Sequence, residues 1–500
     1  DSALLILHDW SHFIALEPEE IDSERGVIME ELRTRDGASW RSTIDMVKAI
    51  GRGTQYEHRN LIGYLDGLKS FSHDDLKAFY DKWYRPDYQA VVVVGDIDVD
   101  AVEQKIKTMM ADIPAPAADA AQKEVIRIPG NEEPVVSIFT DPEMQGSYMQ
   151  LIYKQEAMPK QYRGTVMANL VADISSYISL MMNERLSDIA RKPDAPFVSA
   201  SFDPLGSFGI CPTLDVTGGY VETADGKLME GYKALLTEME RMRRYGFTAG
   251  EYERAKSELL SMVERKYNSR DDRTHSSFAQ ACIDNFRLGD PMPDAETEWQ
   301  LDSMLIKMLN VDAVNAFAKQ TILPTNQVIV INAPEKEGVA TPTAEEILAI
   351  RDKVAASEVT AYEDNVVKEP LIAEGTVLKG SPVKKTVEDK QLGTTEWTLA
   401  NGAKVVVKPT TFKADEVRLG VVGKGGLSLL SDEEYYMGEM MPAVNSMSGV
   451  GKFSATELKK QLSGKTASVQ PSVENYASAM NGVCSPKDLE TMFQLLWLNF

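Results

Sequence analysis

Cysteine is scarce in this sequence: three residues in 500, Cys211, Cys282 and Cys484, lie far apart. An odd, scattered set builds neither a disulfide framework nor a thiolate zinc site, so all three read as free, buried thiols. That usage fits the cytosol and a bacterial periplasm alike. Positive charge is also in deficit, 53 Lys and Arg against 76 Asp and Glu, for a net charge of −23. Such a chain repels phosphate backbones and no basic cluster offsets this, which excludes a nucleic-acid partner. No run of eighteen apolar residues occurs, so no transmembrane segment is expected. No secretory leader opens the sequence either. The first stretch, Asp1-Ser-Ala-Leu-Leu-Ile-Leu, and the last, Met-Phe-Gln-Leu-Leu-Trp-Leu-Asn-Phe500, are apolar helical patterns without caps. Natural termini are usually polar, so the sequence reads as a window of a longer polypeptide.

What is present is ordinary globular composition, 43% apolar and 26% charged, and length for about three domains. The organising feature is an internal repeat. LKAFYDKWYRPDYQAVVVVGD, from Leu76, aligns without gaps with VNAFAKQTILPTNQVIVINAP, from Val314. Ala78-Phe79 meets Ala316-Phe317, Pro86 meets Pro324 and Gln89 meets Gln327. Each copy reads as an amphipathic helix, a Pro-containing turn and a short β-branched strand. The strand Ala90 to Val94 is apolar throughout, so burial of both its faces is expected. A fainter echo lays Asp488 to Phe500 on Asp1 to Phe13, with Asp, Trp and Phe coinciding.

The remaining pattern mixes helices and strands without strict alternation. Val102, Ile106, Met109, Met110 and Ile113 mark a helix that ends before Pro114. Tyr162 to Arg191 and Leu228 to Arg244 read as long helices, the second stopped by Gly246. Thr248-x-x-Glu251 is a capping box. Ser147 to Tyr153, Phe197 to Phe202 and Ser207 to Val216 read as strands. The fold class expected is α+β, with largely antiparallel sheets covered by helices on one side. After Pro334 the composition becomes charged and Ala-, Glu-, Lys- and Thr-rich, with one helix from Thr343 to Ala356. Residues 335–392 therefore read as a linker, and Asn401-Gly402 between β-rich runs opens a new domain with a hairpin.

Histidine is the next shortage: His8, His12, His58, His73 and His275 are all there are. HDWSH places His8 and His12 one helical turn apart, the spacing of a zincin motif with Asp where the general-base Glu belongs. No third ligand is evident for them. PEEIDSERGVIMEELR, from Pro18, carries acidic residues suited to a helix N-terminus. Glu24, Val27, Ile28 and Glu31 then share one face, while Arg25, Glu30 and Arg33 point elsewhere. A carboxylate on a buried face requires a metal, a cation or a hydrogen-bond donor. A solvated acidic helix is the alternative.

ALLILHDWS followed by EEIDSERGVIMEELR, with Tyr56-x-x-Arg-x-x-Ile-Gly63 and FYDKWYRPDYQAVVVVGDID, resembles the pitrilysin/insulinase family of zinc peptidases over the whole chain. The resemblance implies related α+β domains in two halves that close like a clamshell. It divides this sequence into the C-terminal part of a first domain (1–128), a second domain (129–334), the linker (335–392) and the start of a third, non-metal domain (393–500). It implies an inverted zincin site, H-x-x-E-H plus a downstream Glu, that holds Zn2+ and activates water against a peptide bond. The downstream Glu maps onto Glu31 as metal ligand, and Glu24 onto the carboxylate that supports it. No H-x-x-E-H occurs here; the family order places it before Asp1. HDWSH then belongs to the helix between the motif and the Glu ligand, and His8 and His12 pack beside the site. His58, His73 and His275 are read as surface residues. In the third domain, SDEEYYMGEMMPAVNSM lacks His, and Glu439 alone assembles no site. Gly423 to Gly426 reads as a turn, since no Ser or Thr follows the Lys as a P-loop requires.

The function implied is a zinc endopeptidase acting on oligopeptides or unfolded segments in a closing chamber, as a monomer or homodimer. A catalytically inactive homologue serving as scaffold or partner subunit is the alternative. Long bacterial members are often exported, so a periplasmic location is expected.

Overall fold

The structure, a computed structural model, describes residues 2–59, 62–367 and 369–500. Asp1, two residues within the Tyr56-to-Gly63 phrase and one within the linker stretch lie outside the described residues. The chain forms two compact units. One comprises residues 1–247, 274–293 and 309–362; the other comprises 248–273, 294–308 and 363–500.

The first unit is built on a five-stranded sheet of β1 (Val135–Asp141), β2 (Ser147–Glu156), β3 (Ser199–Ser207), β4 (Leu214–Thr223) and β5 (Gln327–Pro334), in the order β1-β5-β2-β4-β3. Only β1 and β5 run parallel among these pairs; the others are antiparallel. All eight residues of β5 are buried, as a β-branched central strand requires. Val328 and Val330 pack on one face with Ile50, Ile152 and Cys211. On the other face Gly219 is tight against Leu235 and Met239 of the Leu228–Tyr245 helix. Helices therefore cover both faces of this sheet, where one was expected, because the Ala38–Ile50 helix supplies a second apolar layer.

The repeat appears in the element bounds. The helix His73–Trp83 and the helix Val311–Thr321 start and stop at equivalent repeat positions. The strands differ. The second copy forms β5, whereas residues 90–94 are irregular chain, with Val92 and Val94 half-buried and the others exposed, rather than a doubly buried strand. Among the described residues no strand runs beside them to take up their backbone hydrogen bonds. The fainter echo holds in the same way: helix Ser2–His12 corresponds residue for residue to helix Leu489–Asn499.

Two further boundaries shift. The stretch expected as one helix from Tyr162 breaks after a turn at Lys160–Arg163; Thr165 then caps a helix Val166–Ala190. The strand expected at Ser207 to Val216 begins only at Leu214, because Gly209, with φ 75°, and Pro212 turn the chain first. Gly246 ends the Leu228–Tyr245 helix, and Thr248 and Glu251 form the capping box of Ala249–Asn268 as read. Cys211 and Cys484 are buried free thiols; Cys282 is partly exposed, a departure from the sequence reading.

The second unit holds two antiparallel sheets. One is β6 (Val383–Asp389), β7 (Thr394–Leu399) and β8 (Lys404–Val407); the other is β9 (Val417–Lys424), β10 (Ala467–Val473) and β11 (Ala477–Cys484), in the order β10-β11-β9. Asn401 and Gly402, the latter at φ 90°, turn β7 into β8. β6 lies within the stretch read as linker and pairs with β7. The second core joins Val469 and Cys484 to Met492 and Leu495 of the Leu489–Asn499 helix. Arg254 grips Asp364 with two bonds of 2.8 and 3.0 Å, with Lys460 3.5 Å from the same carboxylate. Among the described residues no helix is long and apolar enough to cross a membrane.

Candidate functional site

The helix carrying both candidate carboxylates runs Pro18–Arg35, with Pro18 at its start, Glu19 and Glu20 in its first turn, and Arg33 and Arg35 in its last. That distribution suits the helix dipole at both ends. Arg25 fixes the helix in place. It bonds Asp22 at 3.0 Å, donates to the Phe71 carbonyl at 2.6 Å, and stacks 3.8 Å over the Phe71 ring. His73 closes the same contact through Asp22 at 2.9 Å, so its imidazole anchors a helix rather than standing free.

Glu24, Val27, Ile28 and Glu31 share a face as read, but that face is open. Glu24 is exposed, Val27 is 56% exposed, and Ile28 is half-buried. A charge there needs no compensating partner, because water supplies it. Glu31 nevertheless has one, Arg35 a turn later at 2.7 Å. Seven residues of helix set the two carboxylate-bearing Cα atoms about 10 Å apart. Glu30 pairs with Arg33 and faces away.

HDWSH forms part of helix Ser2–His12. His8 bonds Asp9 at 2.8 Å and Asp112 at 2.9 Å, and both carboxylates raise its pKa. His12 approaches the Tyr84 carbonyl at 3.4 Å and packs edge-on against Phe13. Both imidazoles are thus committed within their own neighbourhood. His58 is exposed and beside Glu57; His275 is exposed at the start of the His275–Leu288 helix. Among the described residues no three His, Cys, Asp or Glu side chains come together as a metal-ligand set. Taken alone, these residues do not fit a zinc ion: Glu31 is one donor, already engaged by a guanidinium.

In the second unit the helix Asp432–Ser448 carries Glu439, which accepts a bond from the Tyr435 hydroxyl at 3.3 Å. The preceding turn falls at Gly425 and Gly426, after β9 has run through Lys424. A Cβ on Gly426 would meet the Glu474 carbonyl at 2.1 Å, so glycine is required there for packing.

One charged centre went unread in the sequence. Arg41 bonds Asp141 at 2.8 Å, Glu143 at 2.6 Å and Asp36 at 2.9 Å, tying the Ala38–Ile50 helix to the end of β1. Asp36 is five residues away, but Asp141 and Glu143 stand about a hundred residues off, beyond any local pattern.

Comparison with known proteins gives these residues a context. The family model described as "Peptidase M16 inactive domain" matches residues 70–259. A "Zinc protease PQQL-like" of Arabidopsis thaliana is 26% identical over 475 residues, 94% of this chain and 45% of the relative. A "Probable zinc protease PqqL" of Escherichia coli (strain K12) is 23% identical over 499 residues, 99% of this chain and 52% of the relative. The crystal structure of the periplasmic protease PqqL from Escherichia coli matches with a TM-score of 0.66 at 20% identity, over 99% of this chain and 54% of that one. The chain thus spans about half the length of the relatives it matches.

Proposed function

We propose that this chain, similar over nearly its whole length to zinc proteases and matching a peptidase M16 domain model over residues 70–259, is part of a zinc-dependent endopeptidase of the pitrilysin- and insulinase-like family, cleaving oligopeptides or unfolded segments. The observation that carries this reading is the Pro18–Arg35 helix: a run of the family's ligand type, held rigid by Arg25 and presenting Glu24 and Glu31 on one open face. We assign Glu31 as one zinc ligand and Glu24 as its supporting carboxylate. The imidazole ligands are proposed to come from polypeptide beyond these 500 residues. The proposed layout is that of the sequence reading: 1–128 with Glu31, 129–334, a connecting 335–392, and 393–500 as the start of a metal-free half. An exported, periplasmic location is proposed with it.

Glu31→Gln in the intact protein tests the assignment. Zinc content should fall, with affinity weakened at least ten-fold, and cleavage of a quenched peptide should drop to background. Unchanged zinc and unchanged cleavage would remove Glu31 from the site. A second reading is a catalytically inactive scaffold or partner subunit. The match to a domain described as inactive and the Arg35 contact to Glu31 favour it. An intact protein that carries no zinc and cleaves no peptide would decide for it.

A further inference from the structure

In the first unit the helix Ala344–Ala356 packs beside the Leu228–Tyr245 helix, and near their starts the chain leaves a cavity of about 490 Å³. Its floor is Ser147, at the start of β2, and Ala333, near the end of β5, which the antiparallel pairing brings side by side. Pro342, Ala349 and Ile350 give it apolar walls. After β5 the chain passes along its rim at Val339 and Ala340. Lys336 ties that segment to Asp225, in the turn ahead of the Leu228–Tyr245 helix, at 2.6 Å. The volume falls within the roughly 300–1,000 Å³ of small-ligand sites.

Three donors at this cavity lack acceptors. Ser147 is only 2% exposed, yet among the described residues its hydroxyl has no hydrogen-bond partner; it is not sealed off but opens on the cavity. The Leu228–Tyr245 helix has no side-chain cap, because Lys227 stands at its N-cap. The amides of Leu228 and Met229, both lining residues, are therefore left without an intrahelical or capping acceptor. The Ala344–Ala356 helix offers no such donors, since the Thr343–Glu346 capping box closes its first turn. Glu346, the one carboxylate of the lining, already accepts from the Thr343 amide at 2.9 Å. Donors without acceptors among apolar walls favour a ligand head that brings oxygen and no hydrogen. The helix start adds a preference for negative charge, whereas an ammonium would set donor against donor.

We propose that this cavity binds a medium-chain fatty acid by its carboxylate. The carboxylate accepts from the Ser147 hydroxyl and from the amides of Leu228 and Met229. The alkyl chain lies against Pro342, Ala349 and Ile350. A cavity of this size, apolar apart from its donors, suits one such chain rather than a two-tailed lipid. The proposal rests on this sheet and its two helices, not on the zinc reading.

The experiment titrates octanoate, octanamide and octylamine into the intact protein by calorimetry. Octanoate should bind about five-fold tighter than octanamide, and octylamine should not bind. Ala349→Phe fills the place of the alkyl chain and should abolish octanoate binding. Ser147→Ala, which deletes the buried hydroxyl, should weaken it about five-fold. Ala349 is exposed, so its variant carries the test even if the Ser147 substitution impairs folding. Equal affinity for acid and amide, a preference for the amine, or no binding at all would overturn the proposal. So would undiminished binding in Ala349→Phe, which would place the acid elsewhere, on a bound metal included.

Discussion

A single residue, Gly246, couples two segments of the first unit that are distant in sequence. Its backbone stands at φ 72°, ψ −151°, a region that residues with a side chain rarely enter. A Cβ there would lie 2.5 Å from the Asn315 side-chain carbonyl, which accepts from the Phe247 amide at 2.7 Å. The Gly246 carbonyl accepts from the buried Arg185 at 2.9 Å. Gly246→Ala therefore strains the backbone and displaces Asn315, and should cost about 2–3 kcal/mol in urea unfolding. Gly26 is the control: it sits mid-helix with nothing within 4 Å of an added Cβ. Gly26→Ala should stabilise by up to about 1 kcal/mol. Equal effects at the two sites would show that neither strain nor space decides. Gly246 was legible as a helix stop because helix ends are local. Asn315 was not, since nothing nearby in sequence marks a contact 68 residues away. The same limit explains the carboxylates. That Glu24 and Glu31 share a face follows from spacing; whether the face is buried depends on what packs against it. The Glu31–Arg35 pair was readable at i, i+4, but gives no hint of a metal.

Elements were legible where their signals are intrinsic. Thr248 and Thr343 bond the helices they precede, and two repeated helices keep their bounds across a 238-residue offset, whereas the Thr165 cap went unread inside an apolar run. Strands are different, because a strand exists only beside partners. β5 lies between β1 and β2, whereas residues 90–94, equally apolar, have no neighbouring strand among the described residues. Docking of elements also depends on pairs that sequence does not show. Helix Ser2–His12 is tied by His8 to Asp112, just past the Val99–Met109 helix. The carboxylates of Asp9 and Asp112 raise the His8 pKa above its ordinary 6.5, and His8 correspondingly lowers that of Asp112. A raised histidine pKa stabilises the fold in full below the unfolded value, and that contribution fades as pH climbs through the folded one. Between pH 6 and pH 9 the wild-type urea midpoint should therefore fall more than that of His8→Gln. Parallel pH profiles for the two proteins would mean that this pair contributes nothing to docking the helix.

Charge acts on the molecule as a whole. The excess of 23 negative charges was plain in composition, and its distribution follows no single element. Many of the attractive pairs are local and exposed, such as Lys77–Asp81 and Arg33–Glu30, and solvent screens them to little effect. The Arg254–Asp364–Lys460 cluster is mostly shielded from water and depends little on salt. What remains is long-range repulsion among unpaired carboxylates, which favours expanded over compact states. Raising ionic strength from about 0.01 to 0.15 M shortens the screening length from about 30 to about 8 Å. That distance removes much of the repulsion while leaving contacts of about 3 Å largely intact. The urea midpoint should accordingly rise with sodium chloride over this range, with no change in the slope of the transition. A midpoint that falls would mean that attractive surface pairs outweigh repulsion, and the stability of this acidic chain would then rest on its ion pairs rather than persist despite its net charge.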